Sequence, residues 1–413
     1  MNIKYKIQET LPAIQAKILK FDASLLKNDS ILCGRLSYAY YIYHMYLLSH
    51  DDAYFNKLQD IINNVFDDIE KGNNYVIIDT TLCDGLSGFG FLLVELYNTN
   101  ILGDEILNTL ETFSDLSYNL CIRMIKETKF DLFYGAFGLF YFLLEYKQLD
   151  YCESIVNQLI LYAKDNDSLF YNKNEQDVYT RGVNFGFAHG ILSLLNILGI
   201  LFTYKIQTYS VRELITNVIK SLDTFSKDKF IPTRFRYTDE CYTYKSYYPY
   251  NIYIDDRIKC KKITIENLKK GIFHYTNRLG WCNSDLGFGF TLYRLGKVLQ
   301  DESLLKRAKE ISYDTIKRQS FINTGVNSMY MCHGSTGIAQ LYKRIYELST
   351  DPIYINSYEY WVNITYHYLI KDAKRDINPD DINLLSGYLA PILLLYCYAN
   401  NCNSNWDKIF LLS

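Results

Sequence analysis

The feature that most narrows the fold of this chain is an internal repeat. A small residue, two others and a second small residue, followed by an apolar run, occurs seven times. The copies begin at Gly34 (GRLSYAYYIY), Gly85 (GLSGFGFLLVEL), Gly135 (GAFGLFYFLLEY), Gly190 (GILSLLNIL), Ser284 (SDLGFGFTLYRL), Gly334 (GSTGIAQLYKRI) and Gly387 (GYLAPILLLYCY). Successive copies lie 51, 50, 55, 94, 50 and 53 residues apart. A period near 50 accommodates two helices of about 12–20 residues and two turns. The run after each motif is almost wholly apolar and about three turns long, as a buried helix requires. The intervening segments, such as 53–70, 104–126 and 302–318, are amphipathic and predict outer helices with one wet face. Glycine at the head of each run suits a tight turn or a close backbone approach. Seven such hairpins either form an open solenoid or close on themselves. An open solenoid needs polar capping repeats, and both terminal repeats here stay apolar (SYAYYIYHMYLL and APILLLYCY). The expectation is an all-α, double-layered α/α toroid.

The 94-residue gap is one ordinary period with roughly 40 residues added. Residues 227–262 alternate aromatic or β-branched with polar positions, interrupted by Pro232 and Pro249, which is a strand pattern. The organisation expected is one discontinuous toroid: repeats one to four over 1–227, a β-rich insertion over 228–268, and repeats five to seven over 269–413. The insertion reads either as a hairpin over the rim or as an edge that captures an extended peptide by strand addition.

Composition removes several functions. The 413 residues hold 43 basic and 46 acidic side chains, a net charge of −3, so no basic excess exists for nucleic acid. The N-terminal stretch MNIKYKIQETLPAIQ lacks a signal-peptide core, and apolar stretches such as 191–203 are too short to span a bilayer. A cytoplasmic protein is expected. Its ten cysteines then read as core thiols with a metal site among them, not as a disulfide framework. The 40 tyrosines are read as fillers of half-buried positions.

The residues able to do chemistry stand just ahead of the motifs. Cys282 lies two residues before Ser284; Cys332 and His333 lie two and one before Gly334; His189 lies one before Gly190; Asp131 lies four before Gly135. In a closed ring, equivalent positions converge at one end of the axis. Cys282, Cys332 and His333 make a Cys2His set, and three ligands with a fourth position open is the pattern of catalytic zinc. Cys83 and Cys33 occupy the same neighbourhood of their own motifs, so the offset alone is equally consistent with thiols in small-residue turns. Asp131 could instead cap the helix that follows, and Arg278 could be an ordinary surface or ion-pair residue. His44, His274 and His367 sit in apolar or Tyr-rich runs and are read as structural. Trp281 is read as a cavity wall.

GFAHG (186–190), RLGWC (278–282) and MCHG (331–334), with GLSG at 85–88 and LLSG at 384–387, resemble the lanthionine synthetase C-like cyclases over essentially the whole chain. The resemblance implies an α/α toroid with zinc in a central cavity. It implies a stand-alone cyclase without the dehydratase domain of the bifunctional synthetases. The implied reaction is Michael addition of a precursor-peptide Cys thiol to dehydroalanine or dehydrobutyrine, giving lanthionine or methyllanthionine rings. It places the Zn2+ ligands on Cys282, Cys332 and His333, and catalytic roles on His189, Asp131 and Arg278. His189 would move the proton, Asp131 would orient His189, and Arg278 would stabilise the enolate. Implied partners are the dehydrated precursor peptide, a lantibiotic dehydratase and an ABC exporter, in a complex at the inner face of the membrane.

The sequence departs from the family pattern at Asn283 and Ser284 after Cys282, at Leu286, at Ser193 and at Ala390–Pro391. Two other functions fit the same residues: addition of glutathione or another free thiol to dehydrated residues, and non-catalytic scaffolding of a modification complex.

Overall fold

The computed structural model of the chain describes residues 3–73, 79–172, 182–226, 234–236, 272–274 and 277–413. Each motif opens an apolar helix: Arg35–Ser49, Leu86–Asn98, Ala136–Glu145, Ile191–Thr203, Asp285–Leu299, Ser335–Ser349 and Leu389–Asn400. Seven longer helices alternate with them: Ile3–Leu19, Asp52–Glu70, Leu107–Lys126, Leu149–Asp165, Thr208–Thr224, Glu302–Ile316 and Pro352–Asp372. The apolar set is buried on all sides; Leu86–Asn98 buries every residue from Leu86 to Val94. The second set buries one stripe, as Asp52–Glu70 does with Tyr54, Leu58, Ile61, Ile62 and Val65.

The two sets also start differently. Asp51, Asp301 and Asp351 cap their amphipathic helices by accepting from backbone N–H groups of the first turn. Most apolar helices begin with a loop closed on itself instead. In five repeats the N–H following the motif glycine donates to a carbonyl seven residues back: Arg35 to Asn28, Leu86 to Asp79, Ala136 to Lys129, Ser335 to Ser328 and Tyr388 to Asp381. This wrapping explains the glycine. The motif glycines have extended backbone, so left-handed freedom is not what they supply. A Cβ on Gly190 would lie 2.1 Å from the Asn184 carbonyl oxygen, and one on Gly334 2.4 Å from the Tyr330 nitrogen.

The chain divides into two compact units, residues 1–117 with 328–413, and residues 118–327. In the first unit the two ends of the chain meet. Leu384 N–H donates to Leu32 O at 3.0 Å and to Ser37 Oγ at 2.9 Å, so the last motif loop lies beside the first. The loops of the other two repeats extend the row, with Ile31 N–H on Cys83 O at 2.9 Å and Cys332 N–H on Leu385 O at 3.0 Å. This adjacency of first and last repeats is what apolar terminal repeats demand. The C-terminal segment is buried in the same unit, with Trp406, Phe410, Leu411 and Leu412 inside. Asp407 accepts from Arg344 Nε at 2.7 Å and Gln340 Nε2 at 2.7 Å. Burial alone would raise its carboxyl, but the Arg344 guanidinium holds it below its ordinary value. Tyrosine goes deeper than expected from the sequence. Tyr38, Tyr40, Tyr41 and Tyr43 are fully buried on the first apolar helix, and the Tyr38 hydroxyl donates to Ile18 O at 2.5 Å.

The second unit carries a four-stranded antiparallel sheet of Tyr171–Asn172, Gly182–Asn184, Arg234–Arg236 and Ile272–His274, in that order. Its register pairs Tyr171 with Val183, Val183 with Phe235, and Phe235 with Phe273. Of the 228–268 segment, 234–236 is strand; the remainder lies outside the described residues. Two strands of the sheet come from 171–184, ahead of the expected insertion. Among the described residues, no helix is long and apolar enough to cross a membrane.

Candidate functional site

The second unit assembles four of the residues singled out by the sequence. Asp131 sits in the loop that opens Ala136–Glu145. Its Oδ1 accepts from the N–H groups of Phe133 at 2.7 Å and Tyr134 at 2.9 Å. Those bonds shape the loop; the N-cap position itself belongs to Gly135. The other oxygen, Oδ2, lies 2.7 Å from His189 Nδ1. Asp131 is almost wholly buried, whereas the His189 side chain is 35% exposed. A carboxylate only accepts, so this bond requires a proton on Nδ1.

An aromatic stack backs this pair. Phe133 meets the imidazole edge to face, with centroids 5.4 Å apart, and stacks on Trp281 at 5.8 Å. Phe187 stacks on Trp281 at 6.0 Å. Trp281, which the sequence reads as a cavity wall, is fully buried and stacks on both Phe133 and Phe187. The loop bearing His189 is bonded to the turn bearing Cys282: the N–H groups of Phe187 and Ala188 donate to Cys282 O at 2.9 and 3.3 Å. Only glycine fits at 186, where a Cβ would lie 2.3 Å from that same carbonyl oxygen.

The stretch 278–282 is pinned at its start. Leu279 N–H donates to Thr324 O at 2.9 Å, and Arg318 Nη1 to Asn277 O at 2.7 Å. Arg318 also pairs with the buried Asp285, whose carboxyl burial raises above its ordinary value despite that partner. Ser284 caps its helix, accepting from Gly287 N–H at 3.1 Å and donating to Gly280 O at 2.6 Å. Arg278 and Cys282 are both half-buried.

Cys332 and His333 belong to the first unit, in the loop closed by Ser335 N–H on Ser328 O at 3.0 Å and Gly334 N–H on Tyr330 O at 3.1 Å. Both are half-buried. Cys83, at the same offset, differs in kind. It is buried beside Ser30 Oγ at 3.5 Å, and burial pushes its thiol well above the ordinary range, which suits a core thiol and not a ligand. His44 is core as well. It is buried, with Nδ1 3.0 Å from Ser404 Oγ, and burial lowers its pKa to about 3.

Sequence reasoning gave no structural role to Phe133, Phe187, Gly186 or Arg318. Phe133 carried a usable signal, since it stands two residues before its motif, as Cys282 and Cys332 do. Arg318 carried none, because its partners are 33 and 41 residues away.

The family model described as lanthionine synthetase C-like protein matches residues 26–411. Among solved structures, nisin cyclase is similar over 100% of this chain and 98% of its own, with a TM-score of 0.70 at 16% identity. That likeness shows the fold class the repeats predicted, an α/α toroid. An inactive variant of the α-1,6-mannanase GH76A of Salegentibacter sp. HEL1_6, in complex with α-1,6-mannotriose, matches 95% of this chain and 99% of its own at 10% identity. Its TM-score of 0.46 carries no argument here. No curated protein sequence matches.

Proposed function

The chain belongs to the lanthionine synthetase C-like family, and from that premise we propose that it is a zinc-dependent peptide cyclase. Its substrate is a precursor peptide already dehydrated to contain dehydroalanine or dehydrobutyrine. The observation that carries the reading is the Asp131–His189 pair at 2.7 Å, on a loop bonded to the Cys282 turn.

Cys282, Cys332 and His333 would hold the metal. Two thiols and an imidazole form a donor set suited to zinc, and three ligands leave one position open. When bound, zinc supplies a way of ionising a thiol, ordinarily of pKa ~8.5, near neutral pH.

The chain's own residues handle the rest. The substrate S–H adds across the alkene: sulfur bonds to the β-carbon and a proton is delivered to the α-carbon, with no net oxidation. His189 Nε2 takes the thiol proton or delivers one to the α-carbon. Asp131 fixes the imidazole so that Nε2 faces the reaction. The Arg278 guanidinium balances the charge that develops on the substrate carbonyl. Phe133, Trp281 and Phe187 keep that wall dry. A dehydratase and an exporter would be its partners, in the cytoplasm at the inner face of the membrane.

The test is incubation with a synthetic peptide holding one dehydroalanine and one Cys. Ring closure removes the free thiol at unchanged mass. With glutathione added, a gain of one glutathione on a Cys-free peptide supports free-thiol addition instead. A persisting thiol in zinc-loaded protein overturns both.

A further inference from the structure

We propose that Cys397 and Cys402 are a reversible dithiol–disulfide site, closed by a disulfide oxidant of the glutathione class. The site stands on the geometry of one helix end. Leu389–Asn400 stops with Asn401 in the left-handed conformation, φ 51° and ψ 37°, and Asn401 N–H donates to Cys397 O. The next residue, Cys402, donates its N–H to the same carbonyl at 3.1 Å. This six-to-one bond folds the chain back so that the second residue past the helix packs on the last full turn, where an apolar contact is usual. Here the sequence CYANNC puts cysteine at both contact positions. Cys402 Sγ lies 4.0 Å from Cys397 O. A direct N–H···O=C bond between two residues leaves their Cα atoms within the roughly 4.4–6.8 Å a disulfide spans.

The two thiols are unequal in a useful way. Cys402 is partly exposed, whereas Cys397 is 5% exposed. Burial, then the neighbouring Cys402 thiol, push the Cys397 thiol up, while the Lys343 charge opposes them. Cys402 therefore attacks first. Its thiolate displaces one glutathione thiolate from oxidised glutathione, leaving a mixed disulfide. The Cys397 thiolate then attacks Cys402 Sγ and releases the second glutathione. Two cysteine thiols are oxidised, one glutathione disulfide is reduced to two thiols, and two protons pass to the buffer. The bond would fix the turn from which the C-terminal segment departs toward Ser404 on His44 and Asp407 on Arg344.

The experiment titrates the full-length, zinc-supplemented chain with oxidised glutathione at constant total glutathione, quenches by alkylation, and maps disulfides by mass spectrometry. The expected result is a 397–402 cross-link, lighter by two hydrogens, formed at a lower oxidant ratio in the folded chain than in the urea-unfolded chain. Cys402→Ser abolishes it; Cys397→Ser leaves glutathione on Cys402; Asn401→Gly, which keeps the turn, retains it. A wild-type chain that holds glutathione on Cys402 without closing, or closes equally readily when unfolded, overturns the proposal. Because the readout is a mapped bond, it is independent of cyclase activity and of the zinc ligands.

Discussion

Replacing Asp131 with Asn changes one atom in the bond to His189 and little else. The Oδ1 bonds to the Phe133 and Tyr134 N–H groups, at 2.7 and 2.9 Å, can persist with an amide oxygen in the same place. The amide nitrogen, however, now faces Nδ1 as a donor. The imidazole must accept at Nδ1, which puts its proton on Nε2 and leaves the reacting nitrogen in the wrong form to take a thiol proton. A hydrogen bond to a charged group is worth about 1.5–3 kcal/mol. The imidazole is 35% exposed, so water takes part of that, leaving about 1–2 kcal/mol, a rate loss of roughly 5–30-fold. His189→Ala removes the proton carrier itself and should slow the reaction by roughly 10²–10⁴-fold. Asp131→Ala has a different signature. It loses the loop bonds too and should lower stability by about 2–4 kcal/mol. The assay is single-turnover cyclisation of a dehydrated peptide, following thiol loss, with zinc content and urea stability measured on the same samples. A His189→Ala protein with full rate and full zinc refutes the assignment. So does an Asp131→Asn protein that loses as much stability as Asp131→Ala, because that makes Asp131 a loop residue alone.

Metal analysis of purified protein should give about one zinc per chain, and Cys332→Ala should deplete it with the helical circular dichroism intact; zinc retained in that variant rejects the ligand set. Gly190→Ala should destabilise by about 1–3 kcal/mol in urea titration, because the new methyl meets the Asn184 carbonyl; an unchanged midpoint would show that the loop yields. His44, lowered from 6.5 to about 3 by burial, is charged more readily in the unfolded chain. The stability it contributes is therefore complete above pH 6.5 and is lost as pH falls toward 3, by at most about 1.4 kcal/mol per pH unit. His44→Gln should flatten that slope in urea titrations between pH 6.5 and 4, and an equally steep slope in the variant would place the acid sensitivity elsewhere.

The repeat made the helical architecture legible, because burial on all sides and burial on one stripe leave different patterns in the residues. Leu86–Asn98 and Asp52–Glu70 illustrate the two. Glycine's position was legible and its reason was not: the sequence does not reveal that Gly190 lies against the Asn184 carbonyl. The sheet was half legible. The aromatic alternation pointed to 228–268, yet Tyr171–Asn172 and Gly182–Asn184 are too short to leave a period-two signal. Support residues such as Arg318, whose partners are fixed by packing across 33 and 41 residues, leave no local pattern.

The motif loop itself explains why the chemistry was only partly legible. Its closure is made by backbone groups: the bond seven residues back recurs whether the donor is Arg35, Leu86, Ala136, Ser335 or Tyr388. The backbone bond itself does not depend on which residue donates it, so each repeat can carry something different inside the loop. Two residues before the motif, the chain places a buried thiol at Cys83, an aromatic support at Phe133, and half-buried thiols at Cys282 and Cys332. An offset that tolerates all of these cannot by itself name a ligand, which is why Cys83 and Cys332 look alike in the sequence. What separates them is environment. Cys83 is shut in beside Ser30 with its thiol held neutral, whereas Cys332 stays half-open in a loop pinned to Leu385. A repeated loop closed by the same backbone bond presents different side chains at one offset, and burial separates Cys83 from the half-buried Cys332.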